Sequence, residues 1–145
     1  MKYYIPTSTL NISNILSSGS ISPYSYYGKR QFGIKSFEPI KECEKFKDQI
    51  ILFRNYPLFS IVSDKESYPV CIEIEIPDNM VIPSNIPDVY YASNTIYISP
   101  SNIFLVFENE EYLNKSLFWI DISDEAKFFG QYKEKLILRG SLHGT

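Results

Sequence analysis

The sequence predicts a strand-rich α+β fold. Three observations carry this: short apolar stretches recur along the chain, Val70-Cys71-Ile72-Glu73-Ile74-Glu75-Ile76 alternates strictly, and helix-period segments are few and short. With 145 residues, 44% hydrophobic and 21% charged, the chain has the size and apolar content of about one globular domain. Aromatic residues, 12 Tyr and 10 Phe among them, fill the core that alanine does not, since Ala92 and Ala126 are the only alanines. A single domain over residues 1–139 with a frayed end over 140–145 is the expected organisation.

Lys2 to Ile5 reads as a strand stopped by Pro6. Leu10, Ile12, Ile15 and Leu16 then share one helical face, with Thr9 or Asn11 to cap the start and Gly19 to end it. From Ser20 to Gly33 neither period survives, which predicts a loop with clustered aromatics. A short polar helix follows Pro39 within Glu38 to Lys47. Gln49 to Phe53 and Leu58 to Val62 read as strands, and Val70 to Ile76 as the central one. Asp78 to Pro87, preceded by Pro77 and containing Pro83, reads as irregular. Strands resume at Val89 to Tyr91, Asn94 to Ile98 and Ile103 to Phe107. Glu108 to Asn114 predicts one or two helical turns, and Leu117 to Ile120 a short strand with Trp119 in the core. Asp124 to Lys133, capped by Asp121 or Ser123, reads as a helix before a last strand, Leu136 to Leu138.

Charge and composition narrow the function. The net charge is −3 and no window is strongly basic, so no extended duplex-DNA surface is expected. No apolar run reaches the length of a membrane helix, and the N-terminus lacks a signal-peptide core. Cys43 and Cys71 stand singly, which suits free thiols in a reducing cytoplasm. One histidine, His143, leaves no zinc-protease motif and no His-based nucleophilic unit, and no metal site is expected. Glu73 and Glu75 face one side of their strand, as a solvated face or as a paired acid and base. No phosphate-cradling loop or nucleophile elbow is present. What remains is tyrosine, a loop arginine and scattered carboxylates, suited to a flat, polar ligand held by stacking and hydrogen bonds.

Three stretches share a likeness. Tyr3-Tyr4-Ile5-Pro6-Thr7-Ser8 with Asn11-x-x-x-Ile15-Leu16-x-x-Gly19, then Tyr26-Tyr27-Gly28-Lys29, then Asn94 through Ile103, together resemble the ADP-ribosyltransferase superfold. The likeness is closest to DNA-targeting bacterial toxins and the poly-ADP-ribose polymerases. It implies split antiparallel sheets with short helices and NAD as the bound nucleotide, which serves as substrate. ADP-ribose would pass to a protein or nucleic-acid acceptor. The family's strand-end histidine falls on Tyr4 or, with another gap, Tyr3, either of which can bond the ribose. The catalytic Glu aligns with Asn94, which keeps a hydrogen bond but supplies no negative charge. Tyr26 or Tyr27 would stack on nicotinamide, and Arg30 would bind the diphosphate. Each of these also has a packing or solvated-surface reading. The resemblance implies that Tyr4, Tyr27, Arg30 and Asn94 converge on one cleft. The Asn at position 94 equally suits a non-catalytic module of the same fold, recognising a nucleotide, a nucleic-acid end or a protein partner.

Overall fold

The strictly alternating segment becomes the strand with the most extensive pairing in the protein. A computed structural model describes residues 1–23, 34–35, 49–57, 60–61, 68–123 and 126–140. In chain order these give β1 (Lys2–Ser8), α1 (Thr9–Ser18), β2 (Ser20–Ile21), β3 (Ile34–Lys35), β4 (Ile50–Phe53), β5 (Ser60–Ile61) and β6 (Pro69–Glu75). After a 3-10 turn at Asp78–Met80 come β7 (Ile82–Pro83), β8 (Val89–Ala92), β9 (Ile96–Tyr97) and β10 (Ile103–Phe107). The chain then forms α2 (Glu110–Ile122), α3 (Ala126–Phe129), a 3-10 segment over Gly130–Lys135 and β11 (Leu136–Leu138).

Seven strands make one sheet in the order β11-β10-β6-β1-β4-β8-β7, and β2 with β9 and β3 with β5 form two small ladders. The architecture is mixed α+β with a mostly antiparallel sheet and short helices. β1 and β6 pair along their whole length, from Lys2↔Glu75 to Ser8↔Pro69. The exception to the antiparallel rule is β10 with β11, in register Leu105↔Leu136. Parallel neighbours need a crossover, and here α2 and α3 supply it.

One sheet face carries Tyr3 and Ile5 of β1, Ile72 and Ile74 of β6, Leu52 of β4 and Leu105 of β10, all buried. Ile12, Ile15 and Leu16 of α1 and Ile120 of α2 pack onto this cluster. The 3.6-residue period of α1 aims those side chains at the sheet. Gly19 ends the helix in the left-handed region, φ 68°, where its N–H donates to the Ile15 carbonyl at 3.0 Å.

Several expectations are corrected. Pro6 does not stop β1, which runs on to Ser8. β1 pairs with β6 throughout but with β4 only at Tyr4↔Phe53, so the missing proline donor breaks no rung of that second ladder. Thr9 is the first residue of α1 and its hydroxyl accepts from the Tyr68 N–H, while Asn11 lies buried inside the helix. The expected loop after Gly19 opens with β2, paired to β9. The stretch read as irregular holds the Asp78–Met80 turn and β7, whose Pro83 sits on the sheet's outermost strand. The strand expected from Asn94 to Ile98 is confined to Ile96–Tyr97. Leu117 to Ile120 is no strand: Asn109 caps the Tyr112 N–H, and the helix continues to Ile122 with Leu113, Leu117 and Ile120 on its inner side. Three- and four-residue spacing, not local apolarity, decided that segment. Asp121 belongs to α2 and pairs with Lys133, Ser123 bonds back to the Ile120 carbonyl, and the helix expected over Asp124 to Lys133 narrows to α3 followed by 3-10 structure. The expected helix within 38–47, Cys43 and residues 141–145 lie outside the described residues.

Ile72, wholly buried between β1 and β10, tests this core. Ile72→Ala should lower stability by about 2–5 kcal/mol in urea unfolding, whereas Ile82→Ala on the exposed edge should change it by no more than ~0.5 kcal/mol.

Candidate functional site

Adjacent residues on a strand face opposite ways, so Tyr3 and Tyr4 enter different environments. Tyr3 points into the core face and donates its hydroxyl to Asp78 Oδ1 at 2.9 Å. Its ring meets Tyr90 edge-on at 5.5 Å, and the Arg54 guanidinium lies 5.7 Å from its centroid. Burial, then the bond to Asp78, raises its pKa to about 12.

Tyr4 points to the second face, across from its register partner Glu73 on β6. Its hydroxyl donates to Glu73 Oε1 at 3.0 Å, and burial followed by that bond raises its pKa to about 12. Glu73 is only 5% exposed. The solvated-face reading therefore fails for Glu73 and holds for Glu75, which is exposed and meets the N-terminal ammonium at 3.4 Å. The reason is that β6 is covered on both faces. Tyr56 packs edge-on against Tyr4 at 5.7 Å and donates to Glu108 Oε1 at 2.8 Å. Arg139 stacks over the Tyr56 ring at 4.2 Å and lies 3.6 Å from Glu108 Oε2. Cys71 is fully buried beside them; burial first, then the charges of Glu108 and Glu73, push its thiol well above the usual range. A thiol held protonated in this way is a poor nucleophile. On this face polar groups satisfy one another.

Asn94 is exposed in the segment between β8 and β9. Tyr4 pairs with Phe53, and Phe53 with Val89, so Asn94 lies past the far end of β8 from Tyr4's level. The strand portion alone, Val89 to Ala92, spans about 10 Å. Tyr26, Tyr27 and Arg30 lie outside the described residues. Among the described residues no group of His, Cys, Asp and Glu is placed to hold a metal ion.

Elsewhere among the described residues there is open space. Between α1 and α2, over β10 and β11, is a cavity of about 600 Å³. Ile12, Leu105, Phe107, Trp119, Ile120 and Leu136 give it apolar walls. Thr9, Ser13, Tyr68, Lys115 and Ser116 supply its polar groups. The Tyr68 backbone accepts from the Thr9 N–H at 3.0 Å and donates to the Thr9 hydroxyl at 2.9 Å, locking the start of α1 to the entry of β6. Tyr68 stacks on Tyr112 at 4.5 Å, and Lys115 Nζ donates to its hydroxyl at 3.0 Å. Bonds to Tyr68 and Glu111 raise the Lys115 pKa, so the ammonium is charged at neutral pH. Reading 117–120 as a strand hid this site, because it separated Trp119 from Lys115. The helical spacing of Tyr112, Lys115, Ser116 and Trp119 is the signal that would have joined them.

Tyr3 and Tyr4 bear on pH. Their folded pKa values lie above the ordinary tyrosine value near 10. Their contribution to stability is therefore complete below about pH 10 and is lost as pH rises through about 12. Unfolding midpoints measured across that window should fall, with a shallower fall in the Tyr3→Phe, Tyr4→Phe double variant. Absorbance titration at 295 nm should show a component near pH 12 that the double variant lacks.

Compared with models of known families, with curated proteins and with solved structures, the chain matches none.

Proposed function

We propose that the chain is a recognition domain that holds a small organic ligand in the cavity between α1 and α2. One observation carries the reading: about 600 Å³ of apolar-walled space with a cluster of hydroxyls and one ammonium. Small-molecule sites commonly have volumes of ~300–1,000 Å³, apolar walls and a few placed polar groups. The hydroxyls of Tyr3, Tyr4 and Tyr56, by contrast, are bonded to Asp78, Glu73 and Glu108.

A second reading keeps the ADP-ribosyltransferase-like fold and NAD. Its support is the opening of the chain, where an aromatic strand passes directly into a short helix ended by the left-handed Gly19. In this reading Tyr4 exchanges Glu73 for a ribose hydroxyl, and Asn94 positions the ribose without the charge that speeds nicotinamide departure. Tyr3, Tyr26, Tyr27 and Arg30 would complete the nucleotide site, and a protein or nucleic acid would accept ADP-ribose.

The experiments separate the two. Trp119 is the chain's single tryptophan and lines the cavity, so its fluorescence reports occupancy. N-Phenyl-1-naphthylamine, a neutral apolar probe, should quench Trp119 saturably, and Ser116→Phe should abolish the quenching while cooperative unfolding is retained. A silent Trp119 overturns the cavity reading. Incubation with labelled NAD should release no nicotinamide; release would favour the transferase.

A further inference from the structure

The geometry points to an organic anion with an apolar body as the cavity's ligand, its carboxylate at Lys115 and its body against Trp119 and Leu105. The inference rests on the cavity being a ligand site and adds the chemistry of the occupant.

The charge balance of the lining is one-sided. Among the described residues, Lys115 is the single charged residue of the lining and no carboxylate joins it. The raised pKa only ensures that this charge is present. Lys115's counter-ion, Glu111, stands at 3.2 Å one turn earlier on the same helix, with its side chain 67% exposed. An exposed pair of this kind contributes little and leaves Glu111 free to turn into water when another anion arrives. Lys115, on the lining of an apolar-walled cavity, can then exchange Glu111 for an anion that enters it.

The hydroxyls have the matching polarity. Thr9 Oγ1 accepts from the Tyr68 N–H, and the Tyr68 hydroxyl accepts from Lys115. Each keeps its own proton to donate. Two hydroxyl donors and an ammonium among the lining residues suit a carboxylate, which is acceptor-only when ionised and takes up to four hydrogen bonds. Charge-assisted bonds of this type are roughly twice as strong as neutral ones. The remaining described walls are mainly hydrocarbon and rings, Leu105, Leu136 and Ile120 with Phe107 and Trp119, beside the Ser13 and Ser116 hydroxyls. A body of aliphatic or aryl carbon fills such walls, whereas a sugar or a diphosphate would leave its polar groups unpaired there.

The test uses matched pairs that differ in the head group. Decanoate against decan-1-ol, and naphthalene-2-carboxylate against naphthalene-2-methanol, are titrated at neutral pH as displacers of N-phenyl-1-naphthylamine, with Trp119 fluorescence as readout. Each carboxylate should displace the probe at about tenfold lower concentration than its alcohol, a difference that added salt reduces. Whichever carboxylate is tighter identifies the body as aliphatic or aryl. Lys115→Gln should remove the preference and leave the alcohols unchanged, and Lys115→Arg should keep it. Equal displacement by acid and alcohol, or a Lys115→Gln variant that weakens both alike, overturns the inference while the cavity remains a binding site. A probe that fails to bind at all removes the cavity reading and this one with it.

Discussion

The seven-residue ladder between β1 and β6 is the constraint on which the remaining structure depends. It places two strands side by side in the middle of the sheet, with β10 outside β6 and β4 outside β1. The two longer helices are tied to this centre: α1 follows directly from β1, and α2 follows from β10, the strand beside β6. The crossover through α2 and α3 returns the chain beside β10 as β11, so the walls of the cavity come from elements whose spacing the central ladder fixes.

Burial of β6 on both faces has a chemical consequence. A buried carboxylate or hydroxyl without a partner costs more than the same group in water, so the second face had to be assembled as complementary pairs. Tyr4 with the buried Glu73 meets that demand, and Tyr56 with the exposed Glu108, under the Arg139 guanidinium, adds a pair that water also reaches. The cavity follows the opposite logic. Its hydroxyls and ammonium line an apolar-walled space, and the Thr9 and Tyr68 hydroxyls, being acceptors in their bonds, keep protons to offer.

The sequence made the strands legible wherever periodicity was strong. Alternation located β6, and β10 and β11 were read within a residue, because burial on one or both faces leaves a pattern that local residues carry. The errors share a cause. Leu117 to Ile120 is apolar over too short a run to distinguish a strand from a helix, and the deciding cap, Asn109, lies eight residues before Leu117. Glu73 resembled a wet residue because alternation reveals which residues share a face but not whether that face is covered. Tyr4 was legible as a polar aromatic at a strand position. Its partners Glu73 and Tyr56 were not, since they meet it through pairing across long chain separations. Lys115 and Tyr68, 47 residues apart, are hidden for the same reason.

The Tyr4–Glu73 bond joins residues 69 positions apart. Closing a loop of that size forfeits chain entropy before any contact is gained, and the central ladder is made entirely of such closures. β1 must therefore wait, during synthesis, until the chain as far as β6 has emerged before its principal neighbour exists. Until then β1 is an unpaired strand with apolar side chains, open to pairing with other chains. A topology dominated by distant pairings also folds slowly for its size. The arrangement that gives the sheet its doubly covered centre thus leaves β1 without its main partner until β6 has been made.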